Sequence, residues 1–358
     1  MIFDVEFLAD KTIDLLSVSA GQVIWIWAGA SSLRLVEALA YRIRANCAFW
    51  TLRLSSEALV RQIGRDAPED CLALVPQHEL RWLADISAII EVCDHGSDVP
   101  GVPLPRRRAM AAEWIALIDE ANRRGCRRVT VINPTPSLAK AYGIPFERLK
   151  QLYWQAIQVD DATLDTWQAK VAETLAKSDL IHITSAAGTD LRMRIGRRPI
   201  FQDKVNLPRG EVYVAPLETS ADGIAVIDRL FIHGKPVEWL RLTFSGGRVC
   251  EVQAPDPLDA EVFREILSSH TGERDTIAEF AIGLNPGVSE TIGNSLFDEK
   301  IGGSIHIAIG MNAHFGGFNR SNLHLDMVIR RPKVWADDVM ILNEGLLQIG
   351  ADRFQFLQ

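Results

Sequence analysis

The stretch "QVIWIWAGASSLRLVEALAYRIRA" (22–45) decides the fold. It opens with a short apolar run rich in Val, Ile and Trp, the pattern of a strand covered on both faces. Gly29 breaks the run. Ser32 then stands where a helix cap belongs, and Leu33, Val36, Leu39 and Ala40 recur at helical spacing. The unit repeats loosely downstream. "CLALVP" (71–76) precedes "HELRWLADI", "AIIEVCD" (88–94) precedes a helix over Met110–Arg124, and "RVTVINP" (128–134) follows. Helices over about 145–158 and 161–177 then lead to another buried-strand pattern, "DLIHITSA" (179–186). Strands alternating with helices predict an α/β layer on a mostly parallel sheet. Trp25, Trp27 and Trp239 are expected in the core.

After residue 186 glycine becomes frequent and short alternating segments appear: "TDLRMRIG", "GEVYVAP", "IAVIDRLFI", "WLRLTFSGG" and "RVCEVQA". These predict an antiparallel or mixed sheet, interrupted by one helix near 257–269. The expected fold class is therefore α/β: an N-terminal mostly parallel α/β domain over 1–186, then a β-rich α+β domain over 187–358.

A chain of 358 residues is too long for one ordinary core, so two domains are expected. The net charge of -8 argues against nucleic acid as a partner, since no basic excess exists to displace counterions. Five scattered cysteines without a CxxC pair predict buried, reduced thiols and a cytoplasmic location. The acidic start "MIFDVEFLADK" lacks a signal-peptide pattern. No apolar run reaches the roughly 18–20 residues needed to span a bilayer. "AGASS" has too few glycines for a dinucleotide loop, and "WTLRL" stands where the ribose-binding acid would be. The first half is expected to serve as scaffold or oligomer contact.

Chemistry gathers later in the chain. His324 and Asp326 lie two apart in "RSNLHLDMVIRRP", so a strand there aims both to one face. His306 sits between Ile305 and Ile307, Glu279 between Ala278 and Phe280, and Glu211 opens "GEVYVAP". Buried carboxylates are usually paired or bound to metal, because a lone one costs several kcal/mol. Two Glu, two His and one Asp are a mixed donor set that suits zinc, manganese, cobalt or iron. Five such ligands are about what two metals sharing a bridging carboxylate require. Asp298 and Glu299 are expected to cap or to pair with Lys300, Asp190 to shape a turn, His270 to cap a helix end, and His233 to lie at a solvated turn.

The segments "GTDLRMRIG" (188–196), "NLPRGEVYVAP" (206–216), "AEFAIGLNPG" (278–287), "LFDEKIGGSIHIAIG" (296–310) and "NRSNLHLDMVI" (319–329) resemble, in order and spacing, the thermophilic aminopeptidase T family of metallopeptidases. That resemblance implies a metal-binding catalytic second domain holding two divalent ions (Zn, Co, Mn or Mg) on Glu211, Glu279, His306, His324 and Asp326. It implies a peptide or small-molecule substrate with a free amine, water activation with Glu279 or Glu211 as proton acceptor, and a homo-oligomer, dimer or larger. One departure stands out: the family's tyrosine seven residues after the strand histidine is Ala313 here, beside His314, which is the candidate replacement. A second reading resembles the dihydroxypyridine dioxygenases of the same fold, with one Fe(II) on His324, Asp326 and either His306 or His270.

Overall fold

The structure, a computed structural model, describes residues 3–96, 101–232 and 235–349. His233 lies outside them. The chain divides into two units, Met1–Tyr153 with Val205–Leu207, and Trp154–Lys204 with Pro208–Gln358.

The first unit is built on four parallel strands, β1 (Val23–Gly29), β2 (Phe49–Ser55), β3 (Ala88–Cys93) and β4 (Arg127–Ile132), in the spatial order β2-β1-β3-β4. The buried run of β1 and the strand-helix alternation are as expected. Two details differ. Ser32 does not cap the helix Leu33–Ala45; its Oγ donates to Asp94 Oδ2 at 2.7 Å and accepts from Asn133 Nδ2 at 2.8 Å, knitting the ends of three strands. The run 71–76 is not a strand. Pro68 and Pro76 each precede a short helix, Glu69–Leu72 and Gln77–Trp82, so too few residues lie between them for a strand. The fourth strand is β2, an edge with three of its seven residues exposed, which lacks the continuous apolar run of its neighbours.

In the second unit an eight-stranded sheet contains β5 (Leu180–Thr184), β6 (Asp190–Arg194), β9 (Asp222–Ile232), β10 (Lys235–Ser245), β11 (Arg248–Gln253), β15 (Lys333–Ala336), β16 (Val339–Asn343) and β17 (Leu346–Leu347). A five-stranded sheet has the order β14-β13-β12-β8-β7, with β7 Phe201–Asp203, β8 Glu211–Val214, β12 Ile277–Gly283, β13 Ile305–Gly310 and β14 His324–Ile329. Both are antiparallel throughout and share one core, to which Ile183, Leu242, Phe280 and Ile307 belong.

The division at 153/154 falls earlier than the expected boundary at 186. The helix Asp161–Ala176 accounts for the difference: Leu164, Trp167, Val171 and Leu175 are buried in the core of the second unit. The helix Pro257–Ser269 forms as expected. Trp239 is corrected from core to surface. Its φ of 55° interrupts the alternation of β10, so Leu240 turns inward and Trp239 is 50% exposed. All five thiols are free, but Cys47, Cys71 and Cys250 are exposed rather than buried. Among the described residues no helix is long and apolar enough to cross a membrane.

Ile307 is fully buried on the core side of β13. Ile307→Ala is expected to cost about 2–5 kcal/mol of stability in urea denaturation, because a packed strand cannot close over the cavity left behind.

Candidate metal centre

Directly opposed residues of antiparallel neighbours share a face. Gly283 lies opposite Glu211, and Ala281 opposite both Tyr213 and His306. Ala308 lies opposite both Glu279 and Asp326, and Gly310 opposite His324. One face of the five-stranded sheet therefore carries all five expected ligands, with Ala or Gly between them. The other face carries Val212, Phe280, Ile282, Ile305, Ile307 and Met327 into the core. The glycines are required by close approach: a Cβ on Gly283 would stand 2.3 Å from the Ile301 carbonyl oxygen, and one on Gly310, at φ 103°, 2.1 Å from that of Leu323.

Glu279 reaches this face through a bulge. Ile277 pairs with Ile309, yet Glu279 pairs with Ala308, leaving Ala278 as the extra residue. Strict alternation would send Glu279 to the side of Ile277, into hydrocarbon. The bulge turns it over.

Around Glu279 the groups converge. Its Oε1 is 3.3 Å from His306 Nε2 and its Oε2 is 3.4 Å from His324 Nε2. His324 Nε2 is also 3.1 Å from Asp326 Oδ1, while its Nδ1 meets the Met311 carbonyl oxygen at 2.7 Å. That second bond places the ring proton on Nδ1 and leaves Nε2 as a donor atom for a cation, the usual arrangement of a ligating histidine. Asp326 Oδ2 accepts from Ser295 Oγ. His306 Nε2 is 3.7 Å from Glu211 Oε2. Glu211 Oε1 is held at 2.6 Å by Lys300 Nζ, which also meets Glu299 Oε1 at 2.6 Å and Asp203 Oδ2 at 2.7 Å.

The electrostatics are those of crowded buried acids. Burial, then the Glu299 charge, pushes Glu211 well above the usual carboxylate range. Burial also pushes Glu279 up, but hydrogen bonds from His306 and His324 outweigh it and hold the group low. Burial lowers His306, and the Glu279 hydrogen bond with the charge of Glu211 raises it to about 9. Imidazolium is thus what the carboxylates demand when no metal is bound.

These residues fit divalent cations. Two sets of donor atoms lie within 4.8 Å of one another, Glu211–Glu299–His306 and Glu279–His306–Asp326. Two buried atoms of the cluster, Glu211 Oε2 and His306 Nδ1, have no hydrogen-bond partner among the described residues, and Glu211 Oε2 faces the imidazole of His306. A cation satisfies that oxygen where a proton donor does not.

The remaining candidates lie as follows. His314 is exposed on the single turn Ala313–Phe315, next to Phe315, whose ring meets His324 edge-on at 6.0 Å. His270 caps its helix, with Nδ1 2.8 Å from the Ile266 carbonyl oxygen. Asp190 pairs with His182 at 2.8 Å. Asp298 is not a partner of Lys300 but caps a loop, accepting from the Ile292 and Gly293 amides at 2.8 Å each. Sequence reasoning paired Glu299 with Lys300, as found, but missed Glu299 as a donor, missed that Lys300 also holds Glu211, and missed Asp203 altogether. The signal for Lys300 was the demand itself: buried acids need a cation, and "DEKIGG" supplied one.

The chain matches the thermophilic metalloprotease family (M29) over residues 12–339. No curated protein sequence matches it. Among solved structures it is similar to wild-type AmpT from Thermus thermophilus, at 22% identity and TM-score 0.81, covering 95% of this chain and 98% of that one. It is also similar to 2,5-dihydroxypyridine dioxygenase from Pseudomonas putida, at 14% identity and TM-score 0.66, covering 97% of both.

The raised His306 makes a signed prediction. A histidine raised from 6.5 to about 9 on folding contributes stability that is complete below pH 6.5 and lost as pH rises through about 9. Chelator-treated protein is expected to lose stability over that window in denaturant titrations. Added divalent cation is expected to flatten the loss by replacing the imidazolium. A metal-free profile flat across the window contradicts the assignment.

Proposed function

This chain belongs to the thermophilic metalloprotease family (M29) and is a metal-dependent aminopeptidase of that family, and we propose that the polar face of its five-stranded sheet holds two divalent cations. The observation that carries this reading is the convergence of Glu211, Glu279, His306, His324 and Asp326 on one face, with Glu279 turned toward both imidazoles. Glu279 is placed to bridge, since its two oxygens serve different histidines. Nitrogen and oxygen donors suit zinc, cobalt or manganese. Bound there, the cations polarise the scissile carbonyl and lower the pKa of the attacking water toward 7.

The chain's own groups supply the rest. Glu279 or Glu211, the two buried carboxylates beside His306, takes the proton of the water. A cavity of about 160 Å³ opens beside His324 and Asp326, lined further by Glu299, Phe231, Leu230 and Val328. The apolar side chains of Leu230, Phe231 and Val328 receive the first residue of a peptide. His314 supplies the polar group that Ala313 lacks. The free thiols support a cytoplasmic location. Phe49, Trp50 and Leu54, each at least 41% exposed on edge strand β2, support a homo-oligomer.

Elemental analysis of unsupplemented protein is expected to find about two zinc, cobalt or manganese atoms per chain, by the ligand count. About one iron per chain would favour ring cleavage by a single Fe(II), which needs only two histidines and a carboxylate. Peptides with a free N-terminus should be hydrolysed and N-acetylated ones not. His324→Ala is expected to lower kcat/KM by about 100-fold or more, at least the loss seen when a ligand's supporting partner is removed.

A further inference from the structure

Lys300 is fully buried, and the three carboxylates of Asp203, Glu211 and Glu299 lie within 2.7 Å of its Nζ. An ammonium group has three protons to donate, and these three acids take them all. None is left for a substrate, and with no solvent access Lys300 cannot act as a nucleophile. Its backbone is fixed as well: its amide donates to the Phe297 carbonyl and its carbonyl accepts from Asn285 at 3.0 Å. The acids opposite are equally fixed. Asp203 and Glu211 face each other across β7 and β8, and Gln168 Nε2 bonds both of their carbonyl oxygens at 2.8 Å.

We propose that Lys300 is the positioning residue of the metal centre: it binds Oε1 of Glu211 and of Glu299, so that each presents only its other oxygen to the cation beside His306. The proposal rests on the two-cation reading above. It also closes the charge balance. Asp203, Glu211, Glu279, Glu299 and Asp326 bring five negative charges, Lys300 brings one positive, and the four left over match two divalent cations.

Two roles for such a lysine predict opposite signs. As a positive charge alone, it repels the cation, so its removal should tighten metal binding. As an anchor, it preorganises two ligands, so its removal should weaken binding at one subsite and spare the other. The test is competition of Zn²⁺ or Mn²⁺ against a chromophoric chelator, on full-length wild type and Lys300→Met, with far-UV circular dichroism as the check on folding. Loss of affinity for one of two cations by about 10–100-fold, with the other unchanged, is the expected result. Unchanged or tighter binding overturns the proposal. Should Lys300→Met fail to fold, Asp203→Asn decides, since it frees one of the lysine's anchors and leaves the ammonium: a smaller loss at the same single cation supports the role, and none overturns it. Wild-type protein that binds no cation would instead overturn the metal-centre reading itself.

Discussion

A carboxylate buried among hydrocarbon is tolerated only with an opposite charge in contact, because desolvation otherwise costs several kcal/mol. The five-stranded sheet buries Asp203, Glu211 and Glu279 almost completely, each no more than 6% exposed. Everything around them answers that constraint. Lys300 meets Asp203 and Glu211, and the imidazoles of His306 and His324 meet Glu279. A metalloprotease solves the problem with cations that also perform the chemistry. On the reading proposed above, the groups that would destabilise a metal-free fold are the ones that hold the catalyst.

The sheet separates this cost from the core by parity. Residues of one parity carry the candidate ligands, spaced by Ala281, Ala308, Gly283 and Gly310, while those of the other include Val212, Phe280, Ile282, Ile305, Ile307 and Met327. The two glycines let the backbone at Ile301 and Leu323 approach the strands closely. The apolar face ties the same strands to the eight-stranded sheet through a shared core, so the ligands are carried on rigid elements rather than on loops.

Much of this was legible in the sequence. A charged residue flanked by Ile or Phe in a strand pattern is costly unless it has a task, so His306, Glu279 and the His324–Asp326 pair announced themselves. Local pattern could not find Lys300 and Asp203, whose partners lie far away in sequence: 89 positions separate Lys300 from Glu211. In isolation "FDEKIGG" has the look of a solvated turn. The boundary near 186 was misplaced because the helix Asp161–Ala176 has the texture of the first half and the packing of the second. The apolar run 71–76 misled because proline spacing, rather than hydrophobicity, set its local structure. Trp239 was misplaced by a positive φ that no alternation pattern anticipates.

Ala278 makes no bond through its side chain, yet it decides the sense of the strand that follows it. Were it to take a regular pair with Ala308 instead of bulging, positions 279 to 283 would exchange faces. The Glu279 carboxylate would enter the hydrocarbon, and the ring of Phe280 would stand between the two imidazoles. Catalyst and core are written in the same five residues and distinguished only by phase. At this point the protein is more sensitive to how its backbone is paired than to a change of side chain: a loss of the bulge with the chain length kept would alter no ligand's identity and still turn Glu279 into the hydrocarbon.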